Sequence, residues 1–566
     1  MSLRDILWQY PWWVLGIYHR FERFFLIIFG VLVGVLAYLL LSWQVQSRIT
    51  RTMFDGQLRY GFVSTYDTPN PLRVGATDAE IFVGKLLFNG LIFADESGNI
   101  FPELAETWSI SPDGREYTFY LKRGVQWHDS VEFTAKDVAT TFALLQSGAS
   151  ETVLGEIAND VEVGVRGLYE VTFTLKQVNA AFLELLATPI LPDHIYGGIT
   201  FSRALELGDS LPLVGTGPYR FVRKEGSVLL FNANRQYFKG APEIRTIQVS
   251  TFPSYKLART AFLSGKVHTI TPISTTELDE LEQMSNVSQR ILIQQSVQSN
   301  NTRVLLFNVQ EGKIGKNEYI RHAIAKAVNR EYIMSLVPGS QEAYGPYGTN
   351  SYVYSSTVEA IHRHSVSEAG ALLEKEGWKY PYSGAPYRVK SDSELQVTMT
   401  FLDSEISREI ALEIRKQLAR VGINVILKGI ESESLLQNVL PQKEFELLFL
   451  EIHTGLDPDQ YGLWHSTQST FPGLNLSGQM SPKVDELLEK GRLQTNRLGR
   501  IEIYKQFQEV LVRDAVAVFL YHPSYFEASF DIIDRRLPQS ISEPRDRYTD
   551  IHLWKLLPGW RNWQTR

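Results

Sequence analysis

The sequence predicts an α/β fold behind an N-terminal transmembrane helix. Three observations predict it. Phe24–Trp43 runs for twenty residues without a charge. At about 1.5 Å per residue a helix of that length spans roughly the 30 Å hydrocarbon core of a bilayer. Residues 394–430 read in succession as a period-two strand (ELQVTMTFLD), an amphipathic helix (ISREIALEIRKQLARVG) and a second strand (INVILKGI), the order of a right-handed βαβ unit. Alternating segments on either side of Asp113-Gly114 read as a β-hairpin.

The membrane segment comes first. Trp12, Trp13, Tyr18 and Trp43 suit the two interfaces. A cleaved signal peptide would have an apolar core of about 7–15 residues and a small-x-small site. This run is longer, and SWQVQSRITRTMF after it holds no such site, so an uncleaved anchor is expected. Arg20 and Arg23 on one side balance Arg48 and Arg51 on the other, so flanking charge does not orient it. Gly30 and Gly34 form a GxxxG pair, a spacing that lets helices approach but is common in membrane helices generally.

After a polar tether, QLRYGFVST (57–65) has the β-branched and aromatic character of an opening strand. Thr77 caps the helical pattern AEIFVGKLLFNGL, and Thr134 caps AKDVATTFALLQS. Val161–Val178 alternates again, with Gly167 at its turn. Residues 241–270 read as a strand and then a helix. RVLLFNV opens the second half as a strand, and YIRHAIAKAVNREYIMSLV follows as one amphipathic helix. Ser481-Pro482 opens the helix VDELLEKGRLQ. LGRIEIYKQFQEVLVRDA is the last long helix, and AVFLYHPSYFEASF returns as a strand.

Composition narrows function. The chain has 566 residues, 44% hydrophobic and 21% charged, which is globular and long enough for more than one core. Its net charge is −7, from 56 basic and 63 acidic residues, with no clustered basic excess, so nucleic acid is not an expected partner. There is no cysteine. Disulfides, thiolate metal sites, cysteine nucleophiles and a lipid-modified cysteine anchor are all excluded. No GxSxG elbow, HExxH pair, Walker A loop or GxGxxG fingerprint occurs, and no enzyme is expected. His362 and His364 lie two apart, off a common helix face, and read as a loop or helix end rather than a metal pair. Neither a cofactor nor a metal is expected.

Five segments in fixed order carry a family resemblance: 104–138 (LAETWSISPDGREYTFYLKRGVQWHDSVEFTAKDV), 211–220 (LPLVGTGPYR), 319–334, 422–439 and 456–466 (LDPDQYGLWHS). Together they resemble the extracytoplasmic solute-binding proteins, family 5, of peptide-type and nickel-type ABC importers. The resemblance implies a two-lobe, periplasmic-binding-protein-like (type II) fold with a ligand cleft and a hinge of two crossovers. It divides the chain into a cytoplasmic 1–23, an anchor 24–43, a tether 44–54, lobe one over 55–300 completed by 520–560, and lobe two over 301–519. It also sets the orientation, with the large domain outside a cell membrane crossed once. The implied partners are a peptide or peptide-like solute and ABC permease subunits. A membrane-anchored ligand sensor built on the same fold is the competing reading.

Candidate ligand contacts follow from the same resemblance. Tyr66 lies after the opening strand, and Tyr461, Trp464 and His465 lie in the 455–466 loop. For His465 a helix-start or cleft-wall role competes with ligand contact. Peptide-binding relatives carry a Trp six residues before the DP pair, and an Asp three before it that meets the peptide amino group. This chain has Glu451 and Thr454 at those positions. A buried ammonium needs an acceptor. Glu451 or Asp457 is expected to replace the missing carboxylate, unless the ligand has no free ammonium. Asp457, before Pro458, also suits a turn or a helix cap. Relatives usually have glycine after the HD of 128–129, where this chain has Ser130, and an acidic residue where it has Asn329.

Overall fold

A computed structural model describes residues 56–64, 77–95, 98–148, 158–288, 291–455, 457–471, 473–535, 537–542 and 544–557. Phe24–Trp43 and Tyr66 lie outside them. Among the described residues no helix is long and apolar enough to cross a membrane.

Two large sheets organise Leu58 onward, which forms one compact unit. The first has eight strands, in the order Ser540–Ile541, Ile291–Gln298, Ser524–Phe530, Thr269–Ile273, Gln57–Val63, Thr246–Phe252, Val228–Ala233 and Tyr219–Glu225. The second has six: Gln341–Glu342, Ala517–His522, Asn301–Phe307, Leu447–His453, Gln396–Leu402 and Asn424–Ile430. A four-stranded antiparallel sheet, Ala105–Ile110, Glu116–Leu121, Glu170–Leu175 and Val161–Val165, flanks the first. Its hairpins turn at Gly114 and Gly167, both with positive φ.

The βαβ reading holds. Gln396–Leu402 and Asn424–Ile430 pair in parallel, and helix Glu405–Ala419 joins them and closes through Gly422 at φ 83°. Both faces of this sheet are covered, so its central strands are apolar on both sides. Leu305 and Phe307 enter one core and Val304 and Leu306 the other. Thr77 closes a full capping box with Glu80 at the head of Asp78–Leu87.

Two expectations need correction. Residues 319–337 form two helices, Glu318–Ala327 and Arg330–Ser335. Val328 is extended, and the Asn329 side chain accepts the Tyr332 N–H at 3.0 Å, starting a second helix. The returning strand is also two strands. Ala517–His522 pairs in the six-stranded sheet and Ser524–Phe530 in the eight-stranded one, with Pro523 between them. Proline has no N–H to give a ladder, and here it marks the change of sheet.

The 215–219 turn explains its own composition. A Cβ on Gly215 would lie 1.7 Å from the Leu87 carbonyl oxygen, and one on Gly217 2.4 Å from that of Leu86. The turn therefore packs backbone on backbone against the end of helix Asp78–Leu87, and Gly217 N–H donates to Leu87 O at 2.8 Å. His128 clamps it from the other side: its Nδ1 accepts the Gly215 N–H at 3.1 Å, leaving Nε2–H to donate to Gly217 O at 3.0 Å.

Candidate functional site

Strand Leu447–His453 lies antiparallel to Asn301–Phe307, with Arg303 opposite Glu451 and Asn301 opposite His453. This register puts Arg303 Nε 3.0 Å from Glu451 Oε2, while Asn301 Nδ2 donates to Oε1 at 3.0 Å. Thr454, just past the strand, is buried. Its N–H and its hydroxyl both donate to Asn300 O, at 2.8 and 3.2 Å.

The loop that follows is held by its own aspartates. Asp457 Oδ1 accepts the Asp459 N–H at 2.9 Å, and Asp459 Oδ1 accepts the Tyr461 N–H at 3.0 Å. Such turns suit Asp because its short side chain reaches backbone two residues on. Each carboxylate also takes a guanidinium from the helices Pro482–Leu493 and Arg497–Arg513. Arg500 donates to Asp457 at 2.5 and 2.6 Å, and Arg492 Nε to Asp459 at 2.6 Å. Burial opposes the Arg500 charge, but the Asp457 carboxylate outweighs it and holds the guanidinium above its ordinary pKa. Burial raises the Asp459 carboxyl; Arg492 opposes this and Asp457 adds to it.

Tyr461 is sandwiched. The His465 ring stacks at 3.9 Å and 14°, and the Arg492 guanidinium lies 3.8 Å from the Tyr461 centroid. His465 is 3% exposed and accepts the Thr467 N–H on Nδ1, starting a short 3-10 turn. Trp464 is 2% exposed, packs in the core beneath the six-stranded sheet and donates to Gln460 Oε1 at 2.8 Å. These two side chains shape the loop from behind, His465 in the helix-start role. His362 lies in a turn just after a short 3-10 helix, Ser356–Ala360, as a loop or helix end, and its buried ring meets His322 at 3.0 Å.

Two cavities lie between the parts built on the two sheets. One, of about 220 Å³, has Ile92, Tyr117 and Leu183 on one side and Tyr352, Asp457 and Arg500 on the other. The second, of about 350 Å³, has Gln177 and Asn179 facing Tyr461, Glu489 and Arg492. Between them Ala180 N–H donates to Arg492 O at 3.0 Å, and at the first cavity Arg497 Nη1 donates to Asn99 Oδ1 at 2.9 Å. Sequence reasoning did not single out Arg492, Arg497 and Arg500. The usable signal was an acidic pair, Asp457 and Asp459, that demands counter-charges if buried. Among the described residues no group of three or more His, Asp and Glu side chains is arranged to hold a metal ion.

An α/β molecule of two parts, with cavities walled by both, has the architecture of a solute-binding protein. Residues 99–472 match the bacterial extracellular solute-binding proteins, family 5 Middle, and the chain belongs to that family. The oligopeptide-binding protein AppA of Bacillus subtilis (strain 168) is 27% identical over 461 residues, 79% of this chain and 82% of the relative. The solved structure of B. subtilis AppA in complex with a nonapeptide superposes with a TM-score of 0.70 at 25% identity, covering 88% of this chain and 99% of that one. NikA from Brucella suis, solved in complex with Fe(III)-EDTA, gives 0.75 at 22% identity over 89% and 99%, a likeness of fold. The chain is thus an ABC substrate-binding protein of the peptide/nickel type, and its relatives are solute binders rather than enzymes.

Proposed function

We propose that this chain is a membrane-anchored extracytoplasmic binder that captures a peptide-like solute between two lobes and delivers it to ABC permease subunits. The observation that carries the reading is the cavity of about 220 Å³ walled by both parts of the molecule. Binding energy closes lobe one (55–300 with 520–560) on lobe two (301–519), and the closed form is what the permease takes up. Phe24–Trp43 stays in the cell membrane as a single span, with the large domain outside. The eleven residues of the tether, at most about 40 Å when extended, then hold the start of the large domain close to the surface.

Glu451, Thr454, Asp457 and Tyr461 face the solute, Tyr66 is a further contact, and Trp464 and His465 hold the loop. Glu451 is neutralised by Arg303 and Asp457 by Arg500. An ammonium group buried against either carboxylate would have to displace a guanidinium already in place. The solute therefore lacks a free ammonium.

Calorimetry on the full chain with trialanine and N-acetyl-trialanine tests this. The acetylated peptide is expected to bind at least about tenfold tighter, or 1.4 kcal/mol. Equal affinity, or preference for the free amine, removes the argument. For the anchor, the mature protein is expected in the membrane fraction with an N-terminus before Phe24. An N-terminus near Gln44–Phe54 would overturn it.

A further inference from the structure

The chain passes from the eight-stranded to the six-stranded sheet through Gln298–Asn301 and returns at Pro523. The two crossovers touch: Gln298 N–H donates to Pro523 O at 2.9 Å. Asn301 sits where they meet. Its carbonyl accepts from His522 Nδ1 at 3.0 Å, on the return path. Its side-chain Nδ2 donates to Gln298 Oε1 at 2.9 Å and to Glu451 Oε1 at 3.0 Å. Its Oδ1 accepts from His453 Nδ1 at 2.6 Å. The neighbouring Asn300 accepts from Thr454 and donates from Nδ2 to Gly455 O at 2.7 Å. Two consecutive asparagines thus hold residues 451, 453, 454 and 455 from the crossover itself.

We propose that Asn301 is a positioning residue that couples the Glu451–Gly455 segment to the angle between the lobes. This deepens the solute-binding reading and rests on it. The amide is planar, both of its N–H groups donate and its oxygen accepts. It cannot follow a displaced Glu451 carboxylate while keeping its bonds to both Gln298 and His453. Its bonds are made or lost together, so a solute that moves Glu451 alters what the crossover prefers. A crossover held only by its own backbone would lack that link.

The test uses the full 566-residue chain. It has no cysteine, so cysteines introduced at the exposed positions Glu162 and Arg415 accept a spin-label pair reporting the interlobe distance. Distances are measured without solute and with trialanine or N-acetyl-trialanine. In the solute-free chain Asn301→Ala is expected to change the ratio of short to long distances by about threefold or more with an unchanged unfolding midpoint. In a Glu451→Ala background the same substitution is expected to change it by less than about 1.5-fold, because the link is already cut. Additive effects, or no shift at all, overturn the proposal. If Asn301→Ala does not fold, His453→Ala cuts the same amide from the exposed side and supports the same comparison. Failure of the underlying reading looks different: the wild-type chain would keep one distance while calorimetry shows a peptide bound.

Discussion

Arg500 meets Asp457 end-on, Nη1 to Oδ2 at 2.6 Å and Nη2 to Oδ1 at 2.5 Å, with the side chains only 8% and 12% exposed. Such a two-point contact fixes both position and plane. It ties helix Arg497–Arg513 to a loop 43 residues earlier in the chain.

Asp457→Asn leaves the Arg500 charge buried without its counter-ion. The expected loss is about 3–5 kcal/mol of unfolding free energy, read by denaturant titration. Asp457→Asn combined with Arg500→Met should recover much of it. A single variant as stable as wild type would show the pair to be slack.

Ser130 lies at φ 73°, a left-handed conformation that costs a side chain about 1–2 kcal/mol and glycine almost nothing. Ser130→Gly is expected to raise stability by about 1 kcal/mol, which a shift in denaturation midpoint would register. A loss instead would mean that the Ser130 side chain contributes more than its backbone costs.

Gly215→Ala sets a methyl group 1.7 Å from Leu87 O, a backbone atom that cannot swing aside. At least about 3 kcal/mol should be lost. Gly167→Ala serves as the control. Its φ is +90°, outside the range an added side chain favours, and its Cβ meets nothing within 4 Å, so its loss should be limited to a backbone term that Gly215 does not carry.

His522 gives the protein a pH dependence of defined sign. Burial pushes its imidazole down to about 4, against the hydrogen bond to Asn301 O that raises it. In the unfolded chain the value is about 6.5. Above pH 6.5 both states are neutral and nothing is lost. Below it the unfolded chain takes up a proton that the folded one refuses. Stability therefore falls as pH drops from 6.5 to about 4, by roughly 3 kcal/mol for this group. His522→Gln should flatten that part of the stability profile, while buried His362, pushed down to about 3, keeps a residual slope. An unaltered slope would place the proton uptake elsewhere.

Local elements were legible wherever residues near in sequence carry the cause. The Thr77 cap, the Asp113-Gly114 hairpin and the strand–helix–strand of 396–430 all rest on short-range chemistry. The expected long helix over 319–337 breaks for a local reason: Asn329 caps better than it continues a helix. Splitting the returning strand at Pro523 needed knowledge of two sheets, which no window of residues contains. At the site, the loop aspartates could be picked out but not their partners. Arg492 lies 33 residues from Asp459, and a single sequence does not reveal which arginine of many closes a pair. The two glycines of the 215–219 turn permit a close approach, and only the fold shows that the approaching group is Leu86–Leu87.

The strand order of the eight-stranded sheet fixes a timetable. Ser524–Phe530 lies between Ile291–Gln298 and Thr269–Ile273, yet it is made more than two hundred residues after them. A chain that emerges N-terminus first presents both neighbours with open edges throughout that interval, while the whole six-stranded sheet is synthesised and can close. Unpaired edges invite pairing with other chains. The early half of this molecule therefore depends on its own latest residues for protection, and a nascent chain halted before residue 524 carries a finished second sheet beside an unfinished first.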